Sequence, residues 1–401
     1  MDKVKEVASL LSCTCRLNRP NSAAVVVILL LLVCLLTGCG DTFRPVALPI
    51  LTPTPNPAET HTVVVVNNNA GASGTTNNLD VSGDSNVLNR QVGRNPVHAA
   101  LRSDQSLAFV VNNVDDTVTT YSPRLITTDP STVALATGSG PVFVLTAGTG
   151  AYVANAGNNT VAALSSLGLT QAATAVVPVG NNPVALAITP DGKKVYCLNK
   201  DSGTVTVINT SDNSIQTTIT VGSSPVWAVM SPTPLLFVLN QGSGTVSVID
   251  PNVDTVIGTL NVGSGATEVI YDPRLTRLYV ANFASNTVSV FNAGTTIPTL
   301  ITTLNTDAGP RAVTALSDGT RFYVANSIAG TVSVFDAISL AFRKTIPVGT
   351  TPYWIDSSPD STKVFTPNRD SNNISVIRTT DDTVAATVPS ASPSPVFLVV
   401  Q

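Results

Sequence analysis

The chain has 401 residues, of which 11% are charged, less than half the roughly 25% of an average globular protein, so its surface polarity has to come from Asn, Thr, Ser and Gly. Lys and Arg number 21 against 25 Asp and Glu. A mildly acidic chain without clustered basic residues excludes sequence-independent nucleic-acid binding, which sets Lys and Arg against phosphates.

In chain order, Lys3, Lys5, Arg16 and Arg19 precede an apolar run from Ala23 to Leu36, the charged-then-hydrophobic order of a secretory signal. The run is shorter than the roughly 20 residues a membrane-crossing helix needs. Leu36-Thr37-Gly38-Cys39 follows it and resembles the bacterial lipobox. That resemblance implies cleavage before Cys39 and acylation of its thiol, and two or more acyl chains give stable anchoring. The expectation is therefore a signal peptide over 1–38 and an exported protein, lipid-anchored to a bacterial membrane through Cys39, outside the cytoplasm.

Residues 39–60 carry Pro45, Pro49, Pro53, Pro55 and Pro57 without apolar periodicity and read as an extended stalk. Of the five cysteines, Cys13, Cys15 and Cys34 leave with the leader and Cys39 takes lipid, so Cys197 remains alone and no intrachain disulfide is possible. A single Cys in an apolar strand reads as a small buried hydrophobe.

From there to residue 401 one motif recurs: an apolar run ending in Asn, a short turn, then Thr-Val-x-Val. Copies centre on Asn112, Asn155, Asn199, Asn240, Asn282, Asn326 and Asn368, at spacings between 41 and 44 residues. That period marks a propeller or solenoid. Apolar residues alternate at period two between Gly, Asn, Asp and Pro punctuation, which gives four short strands and no helix per unit. Strand a follows a Val-Gly-x-x-Pro turn, b ends at the Asn, c starts at the Thr, and d returns to Val-Gly. Valine and isoleucine on both faces need cover on both sides, which radially packed blades supply. The fixed Asn and Thr are read as binding backbone groups of the b–c turn.

Tyr152-Val153-Ala154-Asn155, Tyr279-Val280-Ala281-Asn282 and Tyr323-Val324-Ala325-Asn326 resemble the YVTN β-propeller repeat, over residues 93–390. The pattern departs at Cys197-Leu198, at Val238-Leu239 and at the last unit, where Pro367 lacks a ladder donor and Asn373 replaces Thr. The fold class expected is all-β, a single propeller over 61–401 with seven clear repeats. An eighth blade is expected from Thr62–Asn67 as b, 78–82 as c, 86–92 as d, and Pro395–Val400 as a; seven blades with decorated ends is the alternative.

The residue two after each turn position is expected near the channel mouth: His98, Phe143, Ala185, Trp227, Glu268, Ala312, Trp354 and Phe397, with Arg311 and Tyr353 one position earlier in their units. The set contains both tryptophans and the only Glu after Glu59. It suits a site for an aromatic, sugar or peptide ligand, and equally a plug of side chains. With two histidines, His61 and His98, metal sites and histidine bases are limited; no metal or cofactor is expected, and Asp turns such as Thr189-Pro190-Asp191-Gly192 lack the carboxylates of a calcium loop. The function expected is a noncatalytic envelope module for a protein, peptide or glycan. The alternative is a lactonase-like hydrolase in which Glu268, His98 and Arg311 would meet.

Overall fold

The computed structural model describes residues 62–69, 71–80, 85–123, 130–167 and 170–401. Cys39, the leader, the proline-rich segment and His61 lie outside them. The described residues form eight four-stranded sheets, each antiparallel in the order a-b-c-d, and no helix. The innermost strands are Pro96–Leu101, Pro141–Ala147, Pro183–Ile188, Pro225–Met230, Ala266–Asp272, Pro310–Ala315, Asp356–Ser357 and Pro395–Val400, and they define blades 1 to 8 in that order.

Blade 8 closes the ring. Its strand a comes from the C-terminus and pairs with Thr62–Asn67, Val64 opposite Val399 and Val65 opposite Leu398. Thr62 N–H donates to Gln401 O at 2.9 Å and Asn68 N–H to Ser394 O at 2.8 Å. Closure from both chain ends removes the free edge that an open array would expose. The outer strands differ from the sequence expectation: c is Ser73–Asp80 and d is Ser85–Arg94. The turn after Asn67 is longer than in other units, so its amide reaches Thr75 at 3.0 Å and Asn77 at 2.7 Å, eight and ten residues on.

In six of the other seven blades the spacing is five and seven, and the reason is visible in the contacts; Asn155 has only Thr160, because Ala162 stands at seven. Asn112 Nδ2 donates to Thr117 and Thr119, Asn199 to Thr204 and Thr206, and Asn240, Asn282 and Asn326 to a Thr and a Ser. In blade 7 Asn373 supplies the first acceptor for Asn368, at 2.8 Å, in place of the missing Thr. These amides tie strand b to strand c through side chains and leave the turn backbone to neighbouring loops, a different role from the turn cap expected. The Val-Gly glycine lies directly against the amide. A Cβ on Gly263 would stand 2.6 Å from Cγ of Asn282, whose Oδ1 accepts the Gly263 N–H at 3.0 Å. Only glycine permits that approach.

Strands b and c are buried on both faces, whereas d alternates toward solvent. Blade 7 is the irregular one. Beside Pro367 its strand a shrinks to Asp356–Ser357, with an isolated bridge from Pro352 to Asn368, and it abuts the closing blade.

Neighbouring blades are clamped by a second device. Tyr196 on strand b of blade 3 donates to Asp254 Oδ1 at 2.6 Å in the c–d turn of blade 4, and Lys194 reaches Asp254 Oδ2 at 2.7 Å. Tyr323 and Arg321 of blade 6 hold Asp382 of blade 7 at 2.6 and 2.7 Å. Tyr152 of blade 2 donates to Asn213 of blade 3 at 2.8 Å. Asp254, Asp382 and Asn213 all have φ between 53° and 58°, a conformation Asn and Asp tolerate. At the matching place in blade 6 stands Leu340, φ 61°. Consequently the Tyr279 hydroxyl of blade 5 is buried without an acceptor, and Arg277 turns to the carbonyls of Ala337 and Ile338.

Tyr279→Phe should therefore leave stability unchanged or raise it, because it removes an orphan hydroxyl. Tyr196→Phe and Tyr323→Phe should each cost about 1.5 kcal/mol, the loss of a bond to a charged acceptor. Chemical denaturation of the three variants checks this, and equal losses would refute the defective seam between blades 5 and 6.

Candidate functional site

Strand a runs from the face that carries the turn prolines and the strand-b asparagines to the face of the a–b turns. In seven blades its ladder is bulged just after the turn position, as between Pro183 and Ala185 or Ala266 and Glu268. The bulge aims the residue two after the turn at the ring axis.

There five rings make a closed circuit. His98 stacks on Phe143 at 4.0 Å, Phe143 meets Trp227 at 5.7 Å, Trp227 meets Trp354 at 5.0 Å, Trp354 meets Phe397 at 4.8 Å, and Phe397 meets His98 at 4.1 Å. The alanines at this level, Ala185 and Ala312, are small enough for the two indoles to cross the axis. Trp227 of blade 4 reaches the cluster built by blades 8 and 1. His98, Phe143 and Phe397 are each 8% exposed. These aromatic side chains thus pack on one another and plug the channel.

His98 is fixed further by its Nδ1, which accepts the Val144 N–H of blade 2 at 3.4 Å, so its proton sits on Nε2. Burial pushes its pKa down to about 3. Glu268 stands in the same relation to the next blade, its Oε2 accepting Val313 N–H at 2.7 Å. Asp356 accepts Ser357 N–H at 2.8 Å and Val400 N–H of blade 8 at 3.3 Å. Burial pushes Glu268 up to about 8, with the Asp356 charge adding to the shift while the Val313 N–H and Arg311 oppose it. Burial likewise pushes Asp356 up to about 7. Arg311 lies over the Tyr353 ring at 3.6 Å, and Arg369 approaches the same ring at 5.0 Å. Glu268 thus feels Arg311, but among the described residues no hydrogen bond joins either to His98, which belongs to the plug.

Below the plug, on the a–b face, a cavity of about 400 Å³ opens between blades 5, 6 and 7. Glu268, Trp354 and Asp356 line it, together with Asp272, Tyr271 and the hydroxyl of Ser357, which meets Thr314 Oγ1 at 3.2 Å. Asp356 and Asp272 were not singled out by sequence. The signal was present: at the position four after the turn, the other units carry Ala100, Leu145, Ala187, Val229, Ile270, Thr314 and Val399, and Asp356 is the one charge. Cys197 is fully buried, its thiol pushed up by burial. Among the described residues no three His, Cys, Asp or Glu side chains group closely enough to hold a metal ion.

Eight antiparallel blades around a plugged channel define a β-propeller protein. The model of the Lactonase, 7-bladed beta-propeller family matches residues 73–230 and 235–399, and the chain belongs to that family, with one blade more than the family's description states. No curated protein sequence matches the chain. Among solved structures it is similar to the dihydro-heme d1 dehydrogenase NirN, with TM-score 0.70, 13% identity, and coverage of 84% of this chain and 74% of that one. A candidate 6-phosphogluconolactonase from Bacteroides fragilis gives TM-score 0.57 at 16% identity over 86% and 99%. Kuenenia stuttgartiensis hydrazine synthase gives 0.58 at 21% over 71% and 95%. At these identities the likeness is one of fold.

The two carboxyls set a pH dependence. A folded pKa above the unfolded one means that the native state holds the proton through the window between them. Their contribution is therefore complete below about pH 4 and is withdrawn as pH rises to about 8, each tenfold gain in proton affinity on folding being worth about 1.4 kcal/mol. The melting temperature should fall by several degrees between pH 5 and pH 9, and the fall should be smaller in Glu268→Gln and Asp356→Asn. Parallel slopes in variants and wild type would refute the assignment.

Proposed function

We propose that this protein is a lipid-anchored envelope lipoprotein whose propeller, of the YVTN repeat type, binds a ligand in the channel pocket without turning it over. The observation that carries the reading is the cavity of about 400 Å³ under the ring plug, a concave site where Trp354 and aliphatic side chains stand beside the carboxyls of Glu268, Asp356 and Asp272. In the plug beside the cavity His98 is stacked between two phenylalanines and accepts a backbone N–H, which removes it as a base. Small molecules, or the end of a peptide or glycan from an envelope partner, fit such a pocket.

Both tryptophans of the chain lie in the plug, so intrinsic fluorescence reports on the channel. Candidate glycans, peptides and lactones titrated against the full chain in detergent should give saturable fluorescence changes without product. A second reading is favoured by the family match and by Glu268, whose proton is retained near neutrality: a lactonase-like hydrolase with Glu268 as its acid. Lactone opening that Glu268→Gln abolishes while binding survives would replace the first reading with the second.

The address has its own test. Cys39→Ala should abolish acyl labelling and shift the chain from the membrane fraction to the soluble one. Retention in the membrane fraction would refute lipid anchoring through Cys39.

A further inference from the structure

The pocket is lined by three carboxyls at successive levels. Glu268 stands two residues after the turn of blade 5, Asp356 four after that of blade 7, and Asp272 six after that of blade 5. Four residues of extended strand separate Glu268 from Asp272, about 13 Å along the channel wall, and Asp356 faces the same cavity from blade 7. Asp272 is 2% exposed. Its Oδ1 accepts the N–H groups of Arg274 and Leu275, but its Oδ2 has no hydrogen-bond partner. A buried carboxylate oxygen without a donor is costly unless a ligand supplies one.

The cations around these groups are engaged or remote. Arg277 donates to the carbonyls of Ala337 and Ile338, Arg311 lies on the Tyr353 ring, and Arg274 lines the cavity only from its exposed outer rim. The three carboxyls are too spread to cage one metal ion, so a single cation that uses all of them must be elongated. Trp354 and Tyr271 flank the cavity and offer aromatic faces to a cation or to methylenes.

We infer that the channel pocket takes a linear polyamine, with ammonium groups three to four methylenes apart set against Asp272, Asp356 and Glu268 in turn. The inference rests on the reading of this pocket as the ligand site and names its ligand class. Anionic sugar phosphates are disfavoured by the same three groups. Burial makes Glu268 and Asp356 hold their protons near neutrality, and Arg311 offsets this at Glu268 only in part. An entering ammonium, which stays protonated well above pH 8, lets both ionise, so uptake releases protons and tightens as pH rises.

The full chain in detergent is titrated at physiological salt, with tryptophan fluorescence as readout. The probes are spermidine, putrescine, butylamine and the uncharged 1,8-octanediol, at pH 6 and pH 8.5. Spermidine should bind at least about tenfold more tightly than butylamine and several-fold more tightly at pH 8.5 than at pH 6. Asp272→Asn, whose amide oxygen still accepts the N–H groups of Arg274 and Leu275, should weaken it about tenfold with unchanged melting temperature at pH 5, and Asp356→Asn, whose amide keeps one of the two acceptor oxygens, should weaken it by a similar factor. Octanediol binding as well as spermidine, or spermidine binding indifferent to both variants, would overturn the polyamine assignment and leave the pocket as a site for uncharged ligands. Silence from every amine and from octanediol, while a glycan or peptide gives a signal, would overturn it as well. Silence from all of them would overturn the pocket reading itself.

Discussion

The innermost strand of a propeller blade has a ladder on one side only. Its other edge faces the axis, and eight such edges converge where water has little room. Backbone groups buried there must find partners. At three blade junctions this chain supplies them from side chains two or four places after the turn: His98 for Val144, Glu268 for Val313, and Asp356 for Val400. The plug and the titration of the channel both follow. An imidazole that accepts a backbone N–H among aromatic rings stays neutral, and a carboxyl that does so in a closed channel keeps its proton.

The same economy governs the outer ring. In five blades the strand-b asparagine bonds two hydroxyls of strand c, and in most of these it also packs on the incoming glycine, so one side chain fixes the register of b, c and the entry to a. Because that hub is internal to each blade, blades can be added without redesigning it. This is how a member of a family described as seven-bladed accommodates eight. What joins blades is the Tyr-to-Asp clamp, and it is not uniform: Leu340 breaks it between blades 5 and 6, beside the cavity.

Much of this was legible in the sequence because the hub repeats at fixed spacing. The seven asparagines, the glycines before the turns and the complementary chain ends favour eight blades, and the pairing of the two chain ends in one sheet decides for eight over seven. Strand c of blade 8 was misplaced because the turn after Asn67 is longer, which spacing alone does not reveal. The channel residues were legible as a set but not as an arrangement. Whether Trp227 and Trp354 face outward or cross the axis depends on Ala185 and Ala312 in other blades, a relation among distant units. Asp356 escaped because it stands one inward position beyond the level two after the turn, where the repeats diverge most visibly; that next level carries the same kind of exception.

The plug divides the channel into ends of opposite character. On the proline and asparagine face, Arg311 and Arg369 gather on Tyr353. On the a–b face the lining is acidic, with Glu268, Asp356 and Asp272. Five interlocked rings separate the two, so the channel is not a pore but a cup open at one end. Glu268 lies at the floor of that cup, near enough to Arg311 for the guanidinium to draw its pKa down, yet set against the cavity. Any ligand that ionises Glu268 therefore strengthens its attraction to Arg311 through the plug, which couples the acidic cup to the basic rim electrostatically without opening a path between them.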